Sequence, residues 1–414
     1  MNKLKLDKNI AQLPNGMTVV TIKKDTMLVA INVAVKIGSL YEKDEERGMC
    51  HFIEHMMFKG TKERSNEVLN EELESLGGEY NAYTDYTSTV YSINCINDEI
   101  ENAMKLLGDM LINSTFPEDE IEKEKGVVVA EIKSSKDDVE EFSLNKANER
   151  GFSKSPLRYD VAGLEKTVEK FTKNSIIEFY NKYYTPDNSV VVVVSSLEHN
   201  KMLDIISDNF GIWEGKCHKK IEIVKEKNKP ITSITHKKHI EQSTITYLYS
   251  LVDITKEDEL PLKILSHKLG DSDNSVLFRE LREKRGLAYD VYSYLDIGHD
   301  VNIMNIFAAV SKEDLKESQD IIDTSISNIK NEIIDFDNKS LAIIKKIHRT
   351  AVISTLEDYS DLCSYALNQI LEGEDLKDLE KSIEELDKIT KDDIYRVCRK
   401  YLNNPTIHIL KSER

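Results

Sequence analysis

The sequence is short of several things, and each shortage removes a class of explanation. Among its 414 residues are five cysteines, Cys50, Cys95, Cys217, Cys363 and Cys398, an odd and scattered set with no CxxC pair. Neither a disulfide framework nor a thiolate zinc knuckle fits that pattern, so free and mostly buried thiols are expected. No apolar run approaches the roughly 18 residues that a membrane-spanning helix needs, and the valine run 190–194 reads as a buried strand. Positive charge is scarce: 56 Lys and Arg stand against 74 Asp and Glu, a formal net charge of −18. That balance argues against a nucleic-acid binder, which needs a basic face to neutralise phosphates. It suits attraction of basic peptides or simple solubility equally well. Residues 1–8 carry charge with no hydrophobic stretch after them, so no secretory signal is expected and a cytoplasmic location follows by default.

What is present describes a soluble protein of more than one core. Hydrophobic residues make up 40% and charged residues 31%, and a chain this long is expected to form two to four compact units. Asn15-Gly16 marks a hairpin turn before the β-rich stretch 17–22. Residues 27–37 read as a strand, 49–57 switch to helical spacing, and 69–76 form a helix closed by Gly77-Gly78. Alternation over 80–96 indicates a strand pair, 98–113 and 117–138 are helical, and 190–195 ends the first half as a strand. Residues 213–229 lose periodicity and become strongly charged, as a linker does. Afterwards the order recurs: 232–252 is β-like, 260–268 and 276–284 are helical, 286–310 is strand-rich, and 312–331 and 338–356 are helical. The expected fold is α+β, with two homologous domains at 1–212 and 230–414, each an antiparallel sheet packed with helices. The repeat is unequal. The helix after the opening strands carries His and Glu in the first half, whereas 276–284, its counterpart by this reading, has no histidine.

The segment that bears chemistry is Cys50-His51-Phe52-Ile53-Glu54-His55-Met56-Met57-Phe58. Four residues apart on a helix, His51 and His55 project from one face and can reach one zinc at about 2.0–2.1 Å. Glu54 lies on nearly the same face and can approach water at the metal without ligating it. Cys50 points away. Downstream, Glu124 and Glu131 are two helical turns apart and share a face. The remaining histidines, His199, His218, His236, His239, His267, His299, His348 and His408, lack ligand spacing.

The inverted HxxEH order is the inverzincin signature. With Gly38-Ser39 before it and Phe58-Lys59-Gly60-Thr61 after it, the chain resembles the pitrilysin, insulinase and mitochondrial processing peptidase family, and within it the half-length branch. The resemblance implies one zinc ion per chain. Its third ligand in that family is a glutamate some distance beyond the second histidine, and Glu131 matches at 131 − 55 = 76 residues. Glu124 matches the glutamate that holds a ligand histidine in place. In relatives the strand matching Gly77-Gly78-Glu79-Tyr80-Asn81-Ala82-Tyr83-Thr84 pairs with the substrate backbone, which implies substrate contact for Asn81, Ala82 and Tyr83. Read without the resemblance, this is an ordinary hairpin strand. Arg282 and Tyr289 match the family's Arg/Tyr pair, one holding substrate carbonyls and the other donating to the tetrahedral intermediate; without the resemblance Arg282 belongs to a solvated charge run with Arg279 and Arg285.

The implied activity is that of a zinc endopeptidase with Glu54 as catalytic base, cutting unstructured peptides enclosed in a chamber. Its rivals are a catalytic subunit that needs a different partner chain, and a non-catalytic structural family member. A homodimer is the expected assembly, with Arg282 and Tyr289 acting across subunits, and neither nucleic acid nor membrane is expected as a partner.

Overall fold

A computed structural model describes residues 6–298, 300–376 and 378–413. His299 and most of the N-terminal segment 1–8 lie outside the described residues, and with them the readings made there. The chain opens with strands β1 (Asp7–Gln12), β2 (Thr18–Lys23) and β3 (Leu28–Val35), then helices α1 (Met49–Met56) and α2 (Asn66–Ser75). The hairpin β4 (Glu79–Thr84) and β5 (Thr89–Ile96) leads into α3 (Ile100–Asn113), α4 (Glu118–Asp137), α5 (Val139–Gly151), the single turn α6 (Glu165–Val168) and α7 (Lys173–Tyr183). Strand β6 (Ser189–Ser195) and helix α8 (His199–Phe210) complete the first half. The second half runs β7 (Thr232–Lys238), β8 (Ser243–Ser250), α9 (Lys256–Gly270), a π-helical turn (Phe278–Glu283), β9 (Ala288–Ile297) and β10 (Asn302–Val310). Helices α10 (Leu315–Lys330), α11 (Asn338–Glu357), α12 (Tyr359–Leu371), α13 (Asp378–Lys388) and α14 (Lys391–Tyr401) precede β11 (Thr406–Glu413).

The strand orders are β1-β2-β6-β3-β5-β4 and β7-β11-β8-β10-β9. Without β1 they coincide strand for strand, which is the repeat read from the sequence. Neither sheet is purely antiparallel, as the sequence suggested. β6 runs parallel to β2 and β11 parallel to β7, because each enters the middle of its sheet after a long helical crossover. Strand β6 is wholly buried and flanked on both edges, which is why its sequence is continuous valine rather than alternating.

Two compact units result, and neither follows the 1–212 and 230–414 division. Unit 1 comprises Met1–Lys133, Asp160–Glu222 and Ile353–Asp378; unit 2 comprises Ser134–Tyr159, Ile223–Val352 and Leu379–Arg414. Each half lends one helix to the other half's sheet. In unit 1, Leu362, Cys363, Ala366 and Leu367 of α12 cover Val190, Val192 and Val194. In unit 2, α5 lies on β8 and β11, where Ser143 Oγ and Thr244 Oγ1 are 2.6 Å apart. A Cβ on Gly151 would meet Leu248 at 2.7 Å, so the helix lies close because its inner face is small. Periodicity shows that a helix buries a face, not which sheet receives it. The chain leaves unit 1 at Glu222, inside the stretch 213–229. Among the described residues no helix is long and apolar enough to cross a membrane.

The other face of each sheet is covered by helices of its own half. In unit 2, Ile245, Tyr247 and Tyr249 pack with Leu262, Leu265 and Leu269 of α9, Ile322 and Ile326 of α10, and Ile394 and Val397 of α14. Chain order makes α9, not the turn at 278–283, the counterpart of α1. It does carry one histidine, His267, which corrects the pairing read from the sequence.

Candidate metal centre

Helix α1 is short, and its N-terminus is fixed by a group that the sequence did not single out. Buried Glu42 accepts the backbone N–H of Gly48 and of Cys50, both at 2.8 Å, satisfying donors that a helix start leaves unpaired. Burial pushes its carboxyl up to about 7, although those N–H groups and Arg47 oppose the rise. Gly48 sits at φ 93°, and a Cβ there would meet Ala162 O at 2.6 Å. Only glycine fits this entry. Met49, Cys50, Phe52, Ile53 and Met56 are buried, which leaves His51, Glu54 and His55 on the half-buried face. The turn after α1 is also tied down, for Thr61 Oγ1 donates to Asp109 at 2.6 Å and Arg64 Nη1 to the same carboxylate at 2.7 Å.

Helix α4 brings its two glutamates to this face. His51 Nε2 and His55 Nε2 are 3.3 Å apart, and Glu131 Oε2 lies 3.8 Å from the first and 3.4 Å from the second. A tetrahedral zinc with bonds of about 2.0–2.1 Å separates its ligand atoms by about 3.4 Å, so the three atoms fit that ion. Among the described residues this is the one group of three such side chains whose ligand atoms all lie within 4.8 Å of one another. Glu124 Oε2 is 3.1 Å from His55 Nδ1, and Lys59 Nζ donates to Glu124 Oε1 at 2.6 Å. The Lys59-Glu124-His55 chain turns His55 Nε2 toward Glu131 and fixes its tautomer.

The charges suit a cation. Burial, and then His55, lower the His51 pKa to about 4, so the ring is neutral and its lone pair available. Burial lowers that of His55 too, but the hydrogen bond to Glu124 and the charges of Glu131 and Glu54 outweigh it and raise the pKa. Glu54 is raised by burial, with Thr84 and His55 opposing; Thr84 Oγ1 donates to its Oε2 at 2.6 Å. Thr84 escaped the sequence reading, since only the strand's parity reveals it.

Strand β4 is an edge of its sheet. Ala82 pairs with Tyr91 and shares the α1 side with Tyr80 and Thr84, whereas Asn81 and Tyr83 pair with Ser92 and Val90 and project from the α12 side. Of the three expected contact residues, the structure brings only Ala82 to the face of His51, Glu54 and His55. Arg282 and Tyr289 belong to unit 2, on the π-helical turn and at the start of β9. The Arg282 guanidinium lies over the Phe278 ring at 5.0 Å, and Tyr289 is 73% exposed.

The profile described as insulinase (peptidase family M16) matches residues 18–165, and that of the peptidase M16 inactive domain matches 170–347. An uncharacterized zinc protease of Bacillus subtilis (strain 168), YmxG, is 30% identical over 391 residues, 93% of each chain. One from Rickettsia felis is 31% identical over 332 residues, 80% of each chain. A protease from Helicobacter pylori shares the fold with a TM-score of 0.91 at 23% identity, over 98% of this chain and 99% of that one. The first profile spans the inverted motif and the second falls on the half that lacks it, and the chain belongs to the insulinase family of peptidases, M16, in its half-length bacterial branch.

Proposed function

We propose that the protein is a zinc-dependent endopeptidase that cuts extended peptides, with His51, His55 and Glu131 holding the metal. The observation that carries this reading is the convergence of those three ligand atoms beside a carboxylate, Glu54, that does not belong to their set. When bound, zinc supplies Lewis acidity that polarises a peptide carbonyl and makes water a better nucleophile at neutral pH. Glu54 takes the proton of the attacking water and returns it to the leaving amine. Its burial strengthens it as a base, and the Thr84 hydroxyl sets its orientation. The free edge of β4 receives the substrate as an added strand, through main-chain hydrogen bonds that demand little of its sequence. An unstructured peptide extends into such a strand without first breaking a fold of its own, which favours unstructured peptides.

Metal content measured beside peptide hydrolysis tests the assignment. His51→Ala should lose metal and activity together, and Glu54→Gln should keep the metal and lose turnover. Wild-type turnover in Glu54→Gln sinks the mechanism. Assembly is part of the proposal: a two-fold homodimer in which Arg282 and Tyr289 of one subunit serve the zinc site of the other. Mixing Glu54→Gln with Tyr289→Phe subunits, each inactive alone, should then restore part of the activity in heterodimers. Confirmed heterodimers without activity would place the pair within its own chain.

A further inference from the structure

Unit 2 was read from the sequence as the half without metal chemistry, yet two of its histidines meet. His267 lies on α9 and His348 on α11, 81 residues apart in sequence (348 − 267), which is why no spacing rule joins them. Their ring centroids are 5.7 Å apart at an interplanar angle of 64°, against 4.7 Å and 77° for His51 and His55. In chain order α9 and α11 stand where α1 and α4 stand in unit 1: each first helix follows the inner strand β3 or β8, and each second is the 20-residue helix after the sheet's outer hairpin.

Nε2 of His348 is buried and has no hydrogen-bond partner. A buried ring nitrogen without a partner costs free energy unless something occupies it. Nδ1 of His267 lies 3.4 Å from Asp271 Oδ2, one helical turn on. Glu124 stands by His55 Nδ1 in the same way at 3.1 Å, a carboxylate on one ring nitrogen that leaves the other for a ligand. Burial, then His267 and Lys263, lower the His348 pKa, so that ring presents a lone pair rather than a proton at neutral pH. Nearby cationic side chains oppose a bound cation, and the Asp271 charge favours it.

We propose that unit 2 carries a second transition-metal site, in which His267 of α9 and His348 of α11 take one divalent ion of the zinc, nickel and copper class between their imidazoles. Two imidazole ligands select that class over calcium or magnesium, which demand oxygen. With Asp271 behind His267 instead of beside the ion, the protein supplies two ligands and water fills the rest. The site is therefore weaker than the three-ligand centre of unit 1. Its role is mechanical: it pins α11 to α9, and hydrolysis does not depend on it.

Four full-length proteins separate this site from the first: wild type, His51→Ala/His55→Ala, His267→Ala/His348→Ala, and the quadruple variant. Each is equilibrated with Zn2+ by dialysis and its bound metal counted, with circular dichroism confirming the fold. The expected stoichiometries are two, one, one and none. Cu2+ added to His51→Ala/His55→Ala should give an electron paramagnetic resonance spectrum showing two coupled imidazole nitrogens, lost in the quadruple variant. Undiminished metal in folded His267→Ala/His348→Ala overturns the proposal whatever the first site does. A misfolded alanine pair is replaced by His267→Gln/His348→Gln, which keeps polarity and removes the ligands, and the same reading applies. Metal undiminished only in His51→Ala/His55→Ala would instead overturn the assignment in unit 1.

Discussion

The helix after β3 and the helix after β8 occupy the same place in two sheets of the same strand order, and they treat a carboxylate in opposite ways. On α1, Glu54 receives the Thr84 hydroxyl while burial and the nearby Glu131 charge push its pKa up. On α9, Asp258 is 1% exposed and accepts hydrogen bonds from Tyr401 Oη at 2.6 Å, from Lys400 Nζ at 2.7 Å and from Arg396. Burial alone would raise its pKa, but those three partners hold it well below the usual carboxylate range. One carboxylate is kept short of partners and remains a base. The other is saturated and becomes a rivet between α9 and α14. The scaffold does not decide which; the neighbours do.

The sharpest way to break that contrast is to remove both acids in turn. Glu54→Gln should lower kcat by about 10³-fold or more, near the upper range for an acid–base group, and leave the urea midpoint of unfolding in place. Asp258→Asn should do the reverse. It removes the carboxylate that Arg396 and Lys400 share and should lower stability by about 3 kcal/mol, at the low end for a broken buried pair because both cations keep solvent contact and Arg396 keeps Asp393. Zinc content should not change. The same residue fixes an acid dependence. A carboxyl whose folded pKa lies below its unfolded value of about 3.9 stabilises fully above that pH and loses the contribution as pH falls through the folded pKa. The gap in unfolding free energy between wild type and Asp258→Asn should therefore narrow below about pH 4; a gap constant to pH 2 would refute the pairing.

Smaller effects sharpen the picture of unit 1. Glu124→Gln keeps the shape but weakens the grip on His55, and zinc affinity measured by chelator competition should fall about 10- to 100-fold. An unchanged affinity would mean that Lys59 and Glu124 form only a structural pair. Thr84→Val removes a hydrogen bond that lowers the Glu54 pKa. The acid limb of kcat/KM should then shift to higher pH, with a loss of a few-fold at neutrality. A profile that scales without shifting would show that Thr84 does not act through Glu54.

The sequence exposes what is local. Two histidines one turn apart on α1, and two glutamates two turns apart on α4, are visible as spacing, and the family resemblance joins the two helices. Glu42 and Thr84 have no such signature: one caps α1 from outside the helix, and the other matters only because β4's alternation turns it toward Glu54. The valine run of β6 reveals burial on both faces but not that β2 lies parallel on one side and β3 antiparallel on the other. Alternation also cannot say which face of β4 meets α1; the resemblance groups Asn81, Ala82 and Tyr83, whereas Ala82 alone shares the side of Thr84.

The exchange of α5 and α12 sets an order on the ribosome. The sheet of unit 1 has all its strands once Ser195 has emerged, yet one face of β6 stays bare until Leu362, Cys363, Ala366 and Leu367 follow, most of the way along the chain. During that interval the nascent first half displays a strip of valines to solvent or to a chaperone. A gene cut near residue 213 would release that intermediate permanently, with α1 folded on an unfinished support. Each half of the chain therefore completes the sheet of the other.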